Sequence, residues 1–147
     1  MNKEMEIIEK AERILNIMNQ GNKKPKDYGT GDVLYHSEIH TIEAIYNHKN
    51  VNASELSSIL GITNGAVSQV TNKLIKKGLI EQYQSPDNKK DVFYKLTERG
   101  EKVNAMHNEY HKKLYNKIHQ YFSASSENDI KAINNFLDWT ITNWPKD

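Results

Sequence analysis

The sequence predicts a mainly α-helical fold that carries one small β-hairpin wing. Three observations predict it. Apolar residues recur every three or four positions over most of the chain. Around residues 79–97 that period shortens to two. Glycines and small polar caps stand where one pattern gives way to the next. With 147 residues, 37% hydrophobic and 27% charged, the chain suffices for one core and reads as a single domain, 1–147.

The first helix is predicted from about Lys3 to Met18, where Ile7, Ile8, Ala11, Ile14, Leu15 and Met18 share one face. Residues 20–31 are rich in helix breakers and read as a loop. A second helix runs from about Tyr35 to Asn47, with Ile39, Ile42, Ile45 and Tyr46 available for burial. Asn52, followed three residues later by Glu55, opens a short helix with a capping box. Leu56, Ile59 and Leu60 give that helix its apolar face, and Gly61 suits its stop. Thr63 caps the next helix, which reaches about Lys77, buries Val67, Val70 and Leu74, and ends at Gly78. A strand from Leu79 to Gln84, a polar turn from Ser85 to Lys90 and a strand from Asp91 to Thr97 then form a hairpin. In its second strand Val92, Tyr94 and Leu96 alternate with Phe93 and Lys95. From Glu98 the helical period returns through Val103, Met106, Tyr110, Leu114, Ile118 and Tyr121, and it breaks at residues 123–126. Ser126 caps a last helix bearing Ile130, Ile133, Leu137, Ile141 and Trp144.

Helix, tight turn, helix and hairpin over residues 52–97 is the order of a winged helix-turn-helix lobe. The flanking segments 1–20 and 98–147 form a helical scaffold expected to dimerise. Such a lobe predicts binding to double-stranded DNA, because a major groove about 12 Å wide admits one helix while the preceding helix braces it. Thr63, Asn64, Gly65, Ser68, Gln69, Asn72, Lys73 and Lys76 on the second helix of the pair are the expected contacts. Lys89 and Lys90 on the wing are placed to reach neighbouring backbone. Gln and Asn can address adenine, and Lys can address guanine or phosphate. The net charge of +1 is uninformative, but Gly61 to Lys90 holds Lys73, Lys76, Lys77, Lys89 and Lys90 against only Glu81 and Asp87. A winged module that binds protein instead of DNA is the competing account.

Several classes are excluded. There is no cysteine, hence no disulfide and no thiol chemistry. No apolar run reaches the roughly 18–20 residues of a membrane span, and no leader pattern opens the chain, so a cytoplasmic location without membrane contact is expected. A phosphate-cradling glycine loop and a serine–histidine triad are both missing, so the protein is not expected to be an enzyme.

The run Leu60-Gly61-Ile62-Thr63, Ala66-Val67-Ser68, Leu74, Lys77-Gly78-Leu79-Ile80, Pro86, Lys89-Lys90, Leu96-Thr97 and Gly100 resembles the MarR family of transcriptional regulators over nearly the whole chain. The resemblance implies a homodimer with intertwined first and last helices, acting on a pseudo-palindromic operator with one recognition helix per half-site, and a repressor role. One position departs: where the family's wing shows an Asp-Arg-Arg-like cluster, this chain has Asn88-Lys89-Lys90. Lysine supplies the charge without the bidentate fork of arginine.

Two inputs to such a regulator fit the sequence. His107 and His111 are one helical turn apart, a spacing that suits two ligands to one transition-metal ion. Resemblance to zinc-sensing members of the family adds His40 and implies zinc. The acidic ligand of those sensors matches Asn22, so Asp27, the nearest carboxylate in that loop, is the substitute, with Asp32 and Glu38 behind it. The other input is an aromatic or anionic small molecule held between scaffold and wing, with Tyr28, Tyr35, Tyr110 and Trp139 as lining.

Overall fold

Each helix that the apolar period predicts is present. The computed structural model describes residues 2–21 and 23–145, so Asn22 lies outside the described residues. In chain order the elements are α1 (Lys3–Gly21), β1 (Lys26–Asp27), β2 (Val33–Leu34), α2 (His36–Asn47), β3 (Val51–Asn52), α3 (Ala53–Leu60), α4 (Asn64–Lys76), β4 (Ile80–Ser85), β5 (Asn88–Leu96), α5 (Glu98–Ser123) and α6 (Glu127–Asn143). The chain divides into two compact units, Met1–His107 and Asn108–Asp147.

The first unit holds the core. Ile39, Ile42 and Ile45 of α2 and Leu56 of α3 meet Val67, Val70 and Leu74 of α4. Leu79, Ile80, Tyr94 and Val103 close the same cluster. Such burial contributes about 1.5–3 kcal/mol per large aliphatic side chain, before the entropy of ordering it is subtracted. The sheet order is β3-β5-β4, all antiparallel, with Val51 opposite Tyr94 and Ile80 opposite Leu96.

Three features differ from the sequence reading. Strands of two residues, β1, β2 and β3, are too short to leave a period. Strict alternation fails in β5: Phe93 and Tyr94 are both buried, while Val92 is exposed. Tyr94 enters the core, whereas Phe93 packs on the opposite face against the Tyr83 ring, with centroids 5.7 Å apart. Ile59 and Tyr46 are exposed, so the apolar faces of α3 and α2 are narrower than their spacing suggests.

In the second unit α6 has no buried residue, and Ile133, Leu137, Ile141 and Trp144 are exposed. In the first unit α1 likewise buries nothing, although its apolar face includes Ile7, Ile8, Ile14, Leu15 and Met18. Among the described residues, no helix is long and apolar enough to cross a membrane.

Candidate nucleic-acid interface

The helix pair is set by caps that the sequence encodes locally. Asn52 Oδ1 accepts from the Glu55 amide and Glu55 Oε2 accepts from the Asn52 amide, both at 2.9 Å. Gly61 ends α3 in the left-handed conformation (φ 66°), which only a residue lacking Cβ adopts at no steric cost. The turn to α4 is then braced by the Ser57 hydroxyl, which donates to the Ile62 carbonyl at 2.6 Å. Thr63 opens α4, its Oγ1 accepting from the Ala66 amide at 3.1 Å.

The 13 residues of α4 make a rod roughly 20 Å long. Val67, Val70, Thr71 and Leu74 form its buried stripe. The Thr71 hydroxyl is satisfied within the helix by the Val67 carbonyl at 2.8 Å. Asn64, Gly65, Ser68, Gln69, Asn72, Lys73 and Lys76 all face solvent, as does the cap Thr63. A Cβ at Gly65 would meet only Thr63 Oγ1, at 3.9 Å, so nothing within the chain demands glycine there. Among the described residues, Lys73, Lys76, Lys89 and Lys90 take part in no ion pair. Unneutralised lysines beside an amide-rich helix face can meet phosphate and base edges together.

The far end of α4 is anchored from behind. Lys77 Nζ donates to Glu38 Oε2 at 2.6 Å and to the Val33 carbonyl at 3.1 Å. The Arg99 guanidinium donates to the Lys77 carbonyl at 2.8 Å and pairs with Asp32. Thr97 Oγ1 donates to the Gly78 carbonyl at 2.6 Å. These bonds engage the Lys77 and Gly78 carbonyls just past α4 and tie the start of the wing to α5. Asp32 and Glu38, secondary candidates for the acidic metal ligand, are therefore engaged by cations of the chain itself.

The wing is tighter than the sequence suggests. Ser85 pairs with Asn88, so the turn is Pro86-Asp87 alone and not the six residues from Ser85 to Lys90. Lys89 and Lys90 consequently belong to β5 and are exposed, in the stretch between Asn88 and Phe93 where the pairing with β4 shifts register.

Of the suggested histidines, His40 and His107 come together, with ring centroids 5.8 Å apart. His40 Nδ1 lies 3.4 Å and His107 Nε2 3.6 Å from the same Glu43 carboxylate oxygen. The His36 ring packs on His40 (centroids 3.9 Å), and the Tyr28 ring meets buried His107 edge-on at 5.8 Å. Glu43 and His36 escaped the sequence reading, although their offsets of three and four residues from His40 place them on its helix face. His111 instead stacks on Tyr115 of its own helix, with centroids 5.8 Å apart. Asp27 Oδ1 accepts from the Gly29 and Gly31 amides at 2.8 and 3.2 Å and shapes the loop. Among the described residues, no group of three or more histidine, aspartate or glutamate side chains is arranged to hold a metal ion. Within the first unit His40 and His107 are thus gathered on Glu43, while Asp27 is engaged by the amides of its own loop. Of the residues suggested for a small-molecule cleft, Tyr28 is core, whereas Tyr35, Tyr110 and Trp139 are exposed.

Comparison with known proteins places this arrangement. The MarR family model matches residues 34–92, which span α2 to the wing. The chain is 35% identical to an uncharacterized HTH-type transcriptional regulator, YvnA, of Bacillus subtilis over 105 residues, 71% of this chain and 67% of that protein. The chain belongs to the MarR family. Like other members it is a DNA-binding transcriptional regulator and not an enzyme. This MarR regulator is also 30% identical to the transcriptional repressor MprA of Escherichia coli, over 75% of this chain and 60% of that protein. A crystal structure of Streptococcus pneumoniae FabT in complex with DNA superposes with a TM-score of 0.67 at 27% identity, covering 92% of this chain and 93% of that one.

Proposed function

We propose that this MarR regulator is a homodimeric repressor that reads a pseudo-palindromic duplex, one α4 per half-site. The observation that carries the reading is the division of α4. Its apolar stripe is buried, and its whole polar face, with unpaired Lys73 and Lys76, is open to solvent. Asn64, Ser68, Gln69 and Asn72 supply base-edge donors and acceptors, while Lys73, Lys76, Lys89 and Lys90 neutralise phosphates. The exposed apolar faces of α1 and α6 support a second copy as the covering partner. Likeness to the repressor MprA and to DNA-bound FabT supports the repressor and duplex parts of the reading. A repressor acts here by occupancy: the dimer on its operator excludes other proteins from that stretch of duplex.

Lys73→Ala and Lys89→Ala are each expected to weaken binding to a labelled duplex selected by the unsubstituted protein from a random-sequence pool. Anisotropy titrations across a range of salt concentrations should show each variant's log–log slope reduced by about one, the signature of one lost phosphate contact. Binding and slopes equal to those of the unsubstituted protein for both variants would show that neither the helix nor the wing lies on the backbone.

A further inference from the structure

We infer that Asn88 is a positioning residue for the wing: it holds the Asp91 carboxylate on the turn and so leaves Lys89 available to phosphate. The inference rests on the wing reading proposed above. Asn88 is partly buried, whereas Lys89, Lys90 and Asp91 around it are exposed. Its Oδ1 accepts from the backbone amides of Lys90 at 3.1 Å and Asp91 at 3.2 Å. Its Nδ2 donates to Asp91 Oδ2 at 2.7 Å. A primary amide is the side chain of this length that does both, because a carboxylate accepts but cannot donate. From the other strand, Gln84 Nε2 donates to the Lys89 carbonyl at 3.1 Å and fixes the backbone that carries the lysine.

Charge makes the arrangement consequential. The wing tip carries Asp87 and Asp91 beside Lys89 and Lys90, so its formal charges cancel, and its attraction for DNA depends on where they sit. Lys89 and Asp91 lie two residues apart in the stretch of β5 between Asn88 and Phe93, where the pairing with β4 shifts register. A carboxylate free to swing that close in the chain would pair with the Lys89 ammonium and meet the phosphates with a like charge. Tied to Asn88 Nδ2, it does neither.

A double-mutant cycle on operator affinity tests this, with Lys89→Ala as the control for the wing itself. Asn88→Ala is expected to weaken binding about tenfold, as the lysine is captured in cis. Asp91→Ala should change affinity less than about twofold in the unsubstituted protein, yet recover about fivefold in the Asn88→Ala background. Rescue by removing a second group is not what a merely structural turn residue gives, for which the double variant stays as weak as Asn88→Ala. Equal effects of Asp91→Ala in both backgrounds, or normal binding by Asn88→Ala, overturn the inference while a weakened Lys89→Ala leaves the wing reading standing. Normal binding by Lys89→Ala removes the wing reading and this inference together.

Discussion

Gly100→Ala is expected to destabilise the fold by about 3 kcal/mol, the upper end of the usual cost of overpacking. The sign is the informative part. Alanine in place of glycine inside a helix normally stabilises by up to about 1 kcal/mol. Here the added Cβ would stand 2.0 Å from the Leu79 carbonyl oxygen and 3.3 Å from Leu96 Cβ. The first of these is backbone, pinned by the Thr97 amide at 3.1 Å, and cannot swing aside as a side-chain tip would. Either α5 lifts off the base of the wing or the Gly78–Leu79 segment shifts, and that segment ends α4. Thermal unfolding should therefore show a Tm lowered by about 5–10 °C. A raised Tm would mean that α5 does not approach the wing base this closely.

Placing charge on the exposed apolar face of α6 is expected to have the second large effect. Leu137→Glu combined with Ile141→Glu should convert a dimer to monomers and lower operator affinity by roughly 100-fold or more. Two linked half-site contacts are then replaced by one. Both side chains are exposed in the single chain, so the substitutions add no buried charge within it and leave the fold of the first unit intact. Light scattering reads the assembly and circular dichroism reads the fold. A dimer that survives both glutamates would show that α6 is not the contact.

What was legible in the sequence was what is local. The capping pair Asn52–Glu55, the caps Thr63 and Ser126, and the left-handed Gly61 and Gly78 act within a few residues of themselves, and so the ends of α3 and α4 and the start of α6 fall where expected, whereas Trp144 lies just past the end of α6. The buried stripe of α4 was likewise readable, because Val67, Val70 and Leu74 repeat at the helical period. The exposed polar face follows from that stripe by elimination. What stayed hidden depends on partners distant in the chain. The turn at Pro86-Asp87 is set by which residues of β4 and β5 pair, and β3 exists only because Val51 finds Tyr94. Gly100 reads as an ordinary helical glycine until Leu79 is seen against it. The histidines show the same limit: the resemblance already joined His40 to His107, whereas the contacts of His107 with Glu43 and Tyr28 emerge only from the packing.

The most direct test of the central claim is the mass of the complex formed with one duplex carrying a pseudo-palindrome selected from a random-sequence pool, measured by analytical ultracentrifugation beside a shuffled duplex of equal length. A dimer presenting two α4 helices predicts two chains per duplex on the pseudo-palindrome, and weaker, salt-labile association with the shuffled one. One chain per duplex, or equal binding to both sequences, would contradict it.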